Sequence, residues 1–293
     1  MKSYNKKAIV IGGSGYIGSN LEFYLRKMGG DVDSYDRRSK INFFDSNEIK
    51  QINFNSADLI FFMAGKTGTI DGFDEYEEYI KSNEILLLKT LQEIIKQGFS
   101  GRFVYPSTRL IYKGIEKTPL KENDQKETKT IYAANKLFAE NVINSWSNYY
   151  GLNYTIYRIC VPYGHIIENE YSYGTMGFLT NQAKKDKKIT LFGNGEIYRT
   201  FTHVEDICKI MTEASLIEST KNEIYNIGSN DNISLKSLAE MISIKYNAEI
   251  CFVPWKESFL KLESGDTIFD DSKLKRIMKI DYKNSLKNYI GNL

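Results

Sequence analysis

The chain has 293 residues, 42% hydrophobic and 26% charged, with 39 Lys and Arg against 37 Asp and Glu. With 13% aromatics, this is the composition of one large or two coupled folded domains, and it excludes a disordered chain. A net charge of +2 gives no electrostatic footing for nucleic acid or an acidic membrane surface, and the lysines of Ala183–Lys188 suit a solvated helix end. Cys160, Cys208 and Cys251 are odd in number and widely separated, so they offer neither a disulfide framework nor metal-ligand spacing and fit a reducing compartment. The longest apolar stretch, Leu59–Ala64, falls far short of a membrane span, and Ala8–Ile11 is too short for a signal-peptide core. The expectation is a soluble, cytoplasmic protein with no membrane or nucleic-acid partner.

The first half alternates short β-branched runs with helical stretches, the pattern of a parallel sheet covered on both faces. Ala8–Ile11 reads as a first strand, buried on both sides, followed by a Gly-rich turn and a helix with Ile17, Leu21 and Leu25 on one face. Val32–Tyr35, Ile41–Phe44, Asp58–Met63 and Phe103–Ser107 read as the second to fifth strands, and Tyr154–Ile159 as the sixth. Long helices are expected over about Asp74–Lys96 and Thr130–Tyr149. After about Tyr163 the alternation breaks: a strand at Ile189–Phe192 ends in the turn Gly193-Asn194-Gly195, and the chain returns to the sheet near Glu223–Ile227. The fold class predicted is α/β, a doubly wound parallel sheet with a smaller α+β lobe. The dinucleotide-binding domain is expected at 1–165 with a return segment at about 200–229, and the substrate-binding lobe at 166–199 and 230–293.

The turn Gly12-Gly13-Ser14-Gly15-Tyr16-Ile17-Gly18 follows a buried strand and opens a helix. A pyrophosphate needs backbone N–H groups at a helix N-terminus and an approach that a Cβ would block. The spacing fits G-x-G-x-x-G from Gly13 and G-x-x-G-x-x-G from Gly12, so alone it does not choose between dinucleotide-binding superfamilies. Asp36, 18 residues past Gly18, stands where a carboxylate can accept hydrogen bonds from an adenosine ribose. That carboxylate repels a 2′-phosphate and favours NAD. Arg37 and Arg38 follow at once and would suit NADP, which stays open as the alternative.

Tyr132 and Lys136 are four apart on a predicted helix and share a face. An ammonium beside a phenol favours phenolate, so Lys136 is expected to lower the Tyr132 pKa and let it exchange a proton near neutrality. This is the only Tyr-x-x-x-Lys among 21 tyrosines. Ser107 and Thr108 lie at the carboxyl end of the fifth strand, where open α/β sheets bind ligands, and a hydroxyl there can bond a reacting oxygen.

The Gly-rich turn, Asp36, the run Asp58–Gly65, Thr108 and Tyr132/Lys136 together resemble the extended short-chain dehydrogenase/reductase family. More narrowly, they resemble its nucleotide-sugar epimerase/dehydratase branch. The likeness continues through Arg158–Gly164, Leu191–Asp206, Gly265-Asp266 and Asp271–Lys273. It implies a Rossmann-type fold, a nucleotide-diphosphate sugar in the second lobe, hydride exchange with NAD(P), and a homodimer. It further implies Tyr132 as acid/base, Lys136 on the nicotinamide ribose and Thr108 in the catalytic Ser/Thr position, touching substrate. Gly12, Gly15, Tyr16, Ile17, Gly18, Asp36, Arg37, Asp45, Ala64 and Gly65 would line the cofactor, with Asp45, ending the third strand, on the adenine. Phe192 would pack on the substrate's base and Arg199 on its diphosphate.

Departures narrow the reaction. Where dehydratases and decarboxylases of the branch carry Asp or Glu just after the catalytic Ser/Thr, this chain has Arg109-Leu110, which speaks against dehydration. Val161 replaces a frequent Asn, and Leu262-Glu263-Ser264 lacks the arginine often found before Gly265-Asp266. His203 reads as a strand-end structural residue, and His165 stands at the cleft edge. The leading reading is a 4-epimerase, followed by a 4-ketoreductase or 4-dehydrogenase using the same residues, then a non-catalytic NAD(P)-binding sensor or scaffold. The homodimer is expected to pair the two long helices with their copies, because Leu86, Leu88 and Ile95, with Leu137, Phe138, Val142, Ile143 and Trp146, spread beyond one packed stripe.

Overall fold

The apolar run that opens the chain forms strand Lys7–Ile11 in a computed structural model that describes residues 5–36, 38–39, 41–167 and 173–293. Ala8 and Val10 pack on one side and Ile9 and Ile11 on the other, all buried, because a strand sends alternate side chains to opposite faces and both faces are covered. The strand is one of six, all parallel, in the edge-to-edge order Glu223–Ile227, Tyr154–Ile159, Arg102–Thr108, Leu59–Phe62, Lys7–Ile11, Asp31–Tyr35. Helices Tyr16–Lys27 and Val204–Ala214 cover one face with Leu21, Leu25, Ile207 and Met211. Helices Leu86–Lys96 and Ile131–Tyr150 cover the other with Leu87, Leu91, Ile94 and Ile143. The protein is an α/β, Rossmann-type doubly wound sheet. From Lys7–Ile11 the chain steps to Asp31–Tyr35 on one side and then to Leu59–Phe62 on the other, which opens a crevice at the carboxyl ends of those strands.

Two expected elements differ. Ile41–Phe44 is not a strand: Asp31–Tyr35 ends the sheet, and side chains satisfy the segment's backbone locally. Glu48 accepts the Asn42 N–H at 2.7 Å and the Asn42 side chain accepts the Phe44 N–H at 2.9 Å. The helix expected over Asp74–Lys96 is three pieces, Tyr76–Ile80, a π-helical turn Lys81–Ile85, and Leu86–Lys96. The π turn inserts a residue, so no single 3.6-residue stripe runs through.

The second lobe joins three small sheets. Tyr198–His203 pairs with Val161–Tyr163 and Asp231–Ser234; Lys188–Phe192 pairs with Glu249–Val253; Pro119–Leu120 pairs with Ile268–Phe269. Tyr163, Leu179, Ile189, Phe201, Leu238 and Ile242 belong to its core. Among the described residues no helix is long and apolar enough to cross a membrane.

Candidate active site

The Gly-rich turn lies at the crevice. Gly12 has φ +93°, and a Cβ there would come within 2.4 Å of the Ala64 backbone nitrogen. A Cβ on Gly18 would stand 2.2 Å from the Gly12 carbonyl oxygen. Bare backbone is therefore what lets the turn close on the next strand and on its own helix. Helix Tyr16–Lys27 starts at Gly15 with no side-chain cap and no acidic residue in its first turn, which leaves its first N–H groups for an anion. A cleft of about 780 Å³ opens here, lined by Gly12, Gly15, Asp36, Ala64 and Gly65. These features fit a dinucleotide.

Burial works to raise the Asp36 pKa, but hydrogen bonds from Arg38 and Ser14 outweigh it and hold the carboxyl below its usual value. The Arg38 backbone N–H donates to it at 2.6 Å and Nη2 at 3.1 Å. Asp36 is thus charged and already holds Arg38, one of the two arginines that could have suited a 2′-phosphate. Arg37 lies outside the described residues. Tyr16 donates its hydroxyl to the Gly164 carbonyl at 2.6 Å and stacks on Tyr173, so it ties the loop to the second lobe, while Ile17 packs on the core. Asp45 corrects the expectation that it ends a strand. It ends no strand and does not line the cleft; its carboxylate accepts the Asn47 N–H at 2.7 Å and caps helix Ser46–Ile49. Asn42 and Phe43 form the cleft wall instead.

Thr108 ends strand Arg102–Thr108, buried, and its hydroxyl accepts the Leu110 N–H at 3.3 Å. Helix Ile131–Tyr150 starts beside it because Thr130 caps it, accepting the Ala133 N–H at 3.0 Å. That cap puts Tyr132 in the first turn and Lys136 one turn on. Lys136 is buried, donates to the Pro106 carbonyl at 2.7 Å, and lies 4.3 Å from the centre of the Tyr105 ring and 5.8 Å from that of Tyr132. Burial pulls its pKa down to about 7 against the opposing pull of Glu140. Burial raises the Tyr132 pKa, nearby Tyr173 adds to this, and a hydrogen bond with Thr108 offsets part of it. The expectation that Lys136 lowers the phenol's pKa is therefore not met in this geometry: burial dominates at Tyr132, and the Lys136 ammonium is turned to the Pro106 carbonyl. Ser107, also a candidate, has a buried hydroxyl with no partner among the described residues.

On the substrate side, Phe192 stacks with Trp255 at 5.3 Å and Phe259 at 5.4 Å between ring centres. Arg199 is only 2% exposed and pairs with Glu263. It also donates to the carbonyls of Tyr198 and Gly265 at 2.8 and 2.5 Å. Val161 is buried in the second lobe's core. His203 caps helix Val204–Ala214, accepting the Glu205 N–H at 3.2 Å, and burial followed by His165 lowers its pKa to about 4. It is a neutral strand-end residue. His165 lies 3.3 Å from the Tyr289 hydroxyl.

A family model described as the NAD dependent epimerase/dehydratase family matches residues 8–228. The chain belongs to that family. A UDP-glucose 4-epimerase of Corynebacterium glutamicum is 26% identical over 260 residues, 80% of this chain and 79% of its own. A UDP-N-acetyl-alpha-D-glucosaminuronate decarboxylase of Bacillus cytotoxicus is 26% identical over 279 residues, 87% of this chain and 85% of its own. Among solved structures, a UDP-glucose 4-epimerase from Thermotoga maritima with UDP-glucose superposes with a TM-score of 0.85 at 23% identity, over 97% of each chain. NAD is the cofactor of this family member, and the chain is an enzyme of the epimerase/dehydratase type.

In this epimerase/dehydratase family member, two further groups, to which the sequence reading gave no role, hold the site together. Asn83, in the π turn, accepts the Lys66 N–H at 2.8 Å and donates to Asn135 at 3.2 Å, which locks the Gly65 loop onto the Tyr132 helix. Arg158 forks onto Glu140 at 2.9 and 2.6 Å and bonds the Tyr112 hydroxyl at 2.7 Å, tying the same helix to the sheet. Arg158 was visible in the family-like run, but its partner lies 18 residues away and carries no local signal.

Proposed function

We propose that this protein is a nucleotide-sugar 4-epimerase, which oxidises the C4 hydroxyl of a UDP-hexose, turns the keto sugar and reduces it on its other face. The observation that carries this reading is the meeting of Thr108, Tyr132 and Lys136 with no carboxylate at the two positions after Thr108. Bound NAD would take the C4 hydride and give it back. It would be held by the Gly12–Gly18 turn, Ala64 and Gly65 and, at the ribose end, by Asp36, with Arg37 alongside as in the sequence-based expectation.

Thr108 would orient the C4 oxygen, and Tyr132 would take and return its proton. Lys136, poised near pH 7, would drain positive charge or supply it as the phenol changes state and would bind the nicotinamide ribose. Phe192 would lie against the base. Elimination of water needs a further acid/base group to expel the hydroxyl, and Arg109-Leu110 supplies none, so dehydratase chemistry is not part of the proposal. One observation favours a second reading: a neutral, desolvated Tyr132 suits a proton donor, as a 4-ketoreductase requires.

The relatives' UDP-sugars supply the test. The protein is incubated with UDP-glucose, UDP-galactose and UDP-glucuronate, with nicotinamide absorbance followed and products identified by NMR. The C4 epimer without net NADH supports the epimerase. One NADH formed per sugar consumed replaces it by a dehydrogenase.

The protein is further proposed to be a homodimer through helices Leu86–Lys96 and Ile131–Tyr150. A groove of about 460 Å³ between them is lined by Ile85, Leu88, Ile95 and Trp146. Leu86, first counted as surplus, is buried in the subunit's own core.

A further inference from the structure

Arg199 and Glu263 neutralise each other. The carboxylate comes from the segment where the family-like pattern has an arginine, so a pair of cations has become an ion pair. With Nη1 on two carbonyls and Nη2 on Glu263, the Arg199 guanidinium spends three of its five N–H donors, and its charge partner, on protein acceptors.

Arg109 stands in the opposite condition. It is half-buried, follows Thr108 directly, and the one hydrogen bond its guanidinium makes among the described residues is to Ser264 Oγ at 3.1 Å. Among the described residues no carboxylate lies within ion-pair distance of it. Burial, then the charge of Arg199, push its pKa down to about 10, with Cys160 and Glu263 opposing. Two guanidinium groups therefore share one carboxylate, and that carboxylate is bonded to the other one. A desolvated charge in this state is costly until an anion completes it.

We propose that Arg109 is the residue that receives the anionic group of the substrate, with Arg199 held back by Glu263. The group is either a diphosphate oxygen or a carboxylate on the sugar, both of which match a guanidinium fork. Arg109 joins the Thr108 end of the site to the Ser264–Gly265 loop, so it sets which sugars sit with C4 at Tyr132. The inference rests on the nucleotide-sugar reading, but its core, an anion site at Arg109, can be tested without it.

The test is calorimetric titration of NAD-saturated protein with inorganic pyrophosphate, UDP, UDP-glucose and UDP-glucuronate, for wild type, Arg109→Gln and Glu263→Gln. Arg109→Gln is expected to weaken binding at least tenfold. Loss across all four probes assigns the group to the diphosphate, and loss confined to UDP-glucuronate assigns it to the sugar carboxylate. Glu263→Gln is expected to tighten binding several-fold by releasing Arg199, a gain that a merely structural role would not produce. Pyrophosphate binding that depends on Arg109, with no UDP-sugar bound or turned over, keeps the anion site and discards the nucleotide-sugar reading. Affinities within twofold of wild type in Arg109→Gln, or no binding of any probe to wild type, overturn the proposal.

Discussion

Lys136 Nζ stands 4.3 Å from the centre of the buried Tyr105 ring and donates to the Pro106 carbonyl, so the residue placed to serve Tyr132 is gripped first by the strand beneath it. Its burial, opposed by Glu140, sets its protonation. Its pKa is about 7 in the fold against 10.5 for an ordinary lysine. Between those values the unfolded chain holds a proton that the native chain lacks, so this residue makes stability rise with pH from 7 towards 10 and penalises the charged form below 7. Urea unfolding of the cofactor-free protein should show a steeper rise between pH 7 and 9 in wild type than in Lys136→Met. Lys126, lowered to about 8 mainly by burial, contributes to both and cancels in the comparison. Identical pH slopes would mean that Lys136 is an ordinary charged lysine.

Tyr132→Phe keeps the ring and removes the exchangeable proton. Turnover should fall by about 10²–10⁴-fold, while NAD affinity, measured by fluorescence quenching, stays within a few-fold. Near-wild-type rates on the correct nucleotide sugar would remove Tyr132 from the acid/base role.

Asp36 is expected to select NAD by its charge. Asp36→Ala removes that charge and frees Arg38 from its hydrogen bonds at 2.6 and 3.1 Å. The NADP/NAD affinity ratio, measured by calorimetry, should move towards NADP by about tenfold, ~1.4 kcal/mol. A wild type that already prefers NADP would contradict the assignment.

Much of this architecture was legible because its signals are local. Strand Lys7–Ile11, the glycine spacing and the helix that begins at about Thr130 each act through neighbours in sequence, and Tyr132 and Lys136 follow from one helix turn. What was not legible depends on partners brought by the fold. Nothing in Ile41–Phe44 shows that the sheet has already ended at Asp31–Tyr35, so an apolar run read as a strand became a cleft wall. Asp45, read as ending a strand, caps a four-residue helix. The π turn at Lys81–Ile85 breaks a stripe that looks continuous in one dimension. Arg199 looked like a free phosphate ligand until Glu263, 64 residues on, closed on it.

The dimer proposal turns on Leu88, half-buried in the groove between the two helices. Light scattering at micromolar concentration should give twice the chain mass for wild type and a shift towards monomer for Leu88→Glu, which should also unfold at a lower temperature than the wild-type dimer. A monomeric wild type would show that this face has no partner.

The central claim, hydride leaving C4 and returning to it, is tested most directly with UDP-glucose carrying deuterium at C4. Incubated with NAD-loaded protein in ordinary water, the epimerised product should retain the label at C4, with no label in solvent and none in free NADH. Deuterium lost to water, or a product changed at a carbon other than C4, would contradict the account.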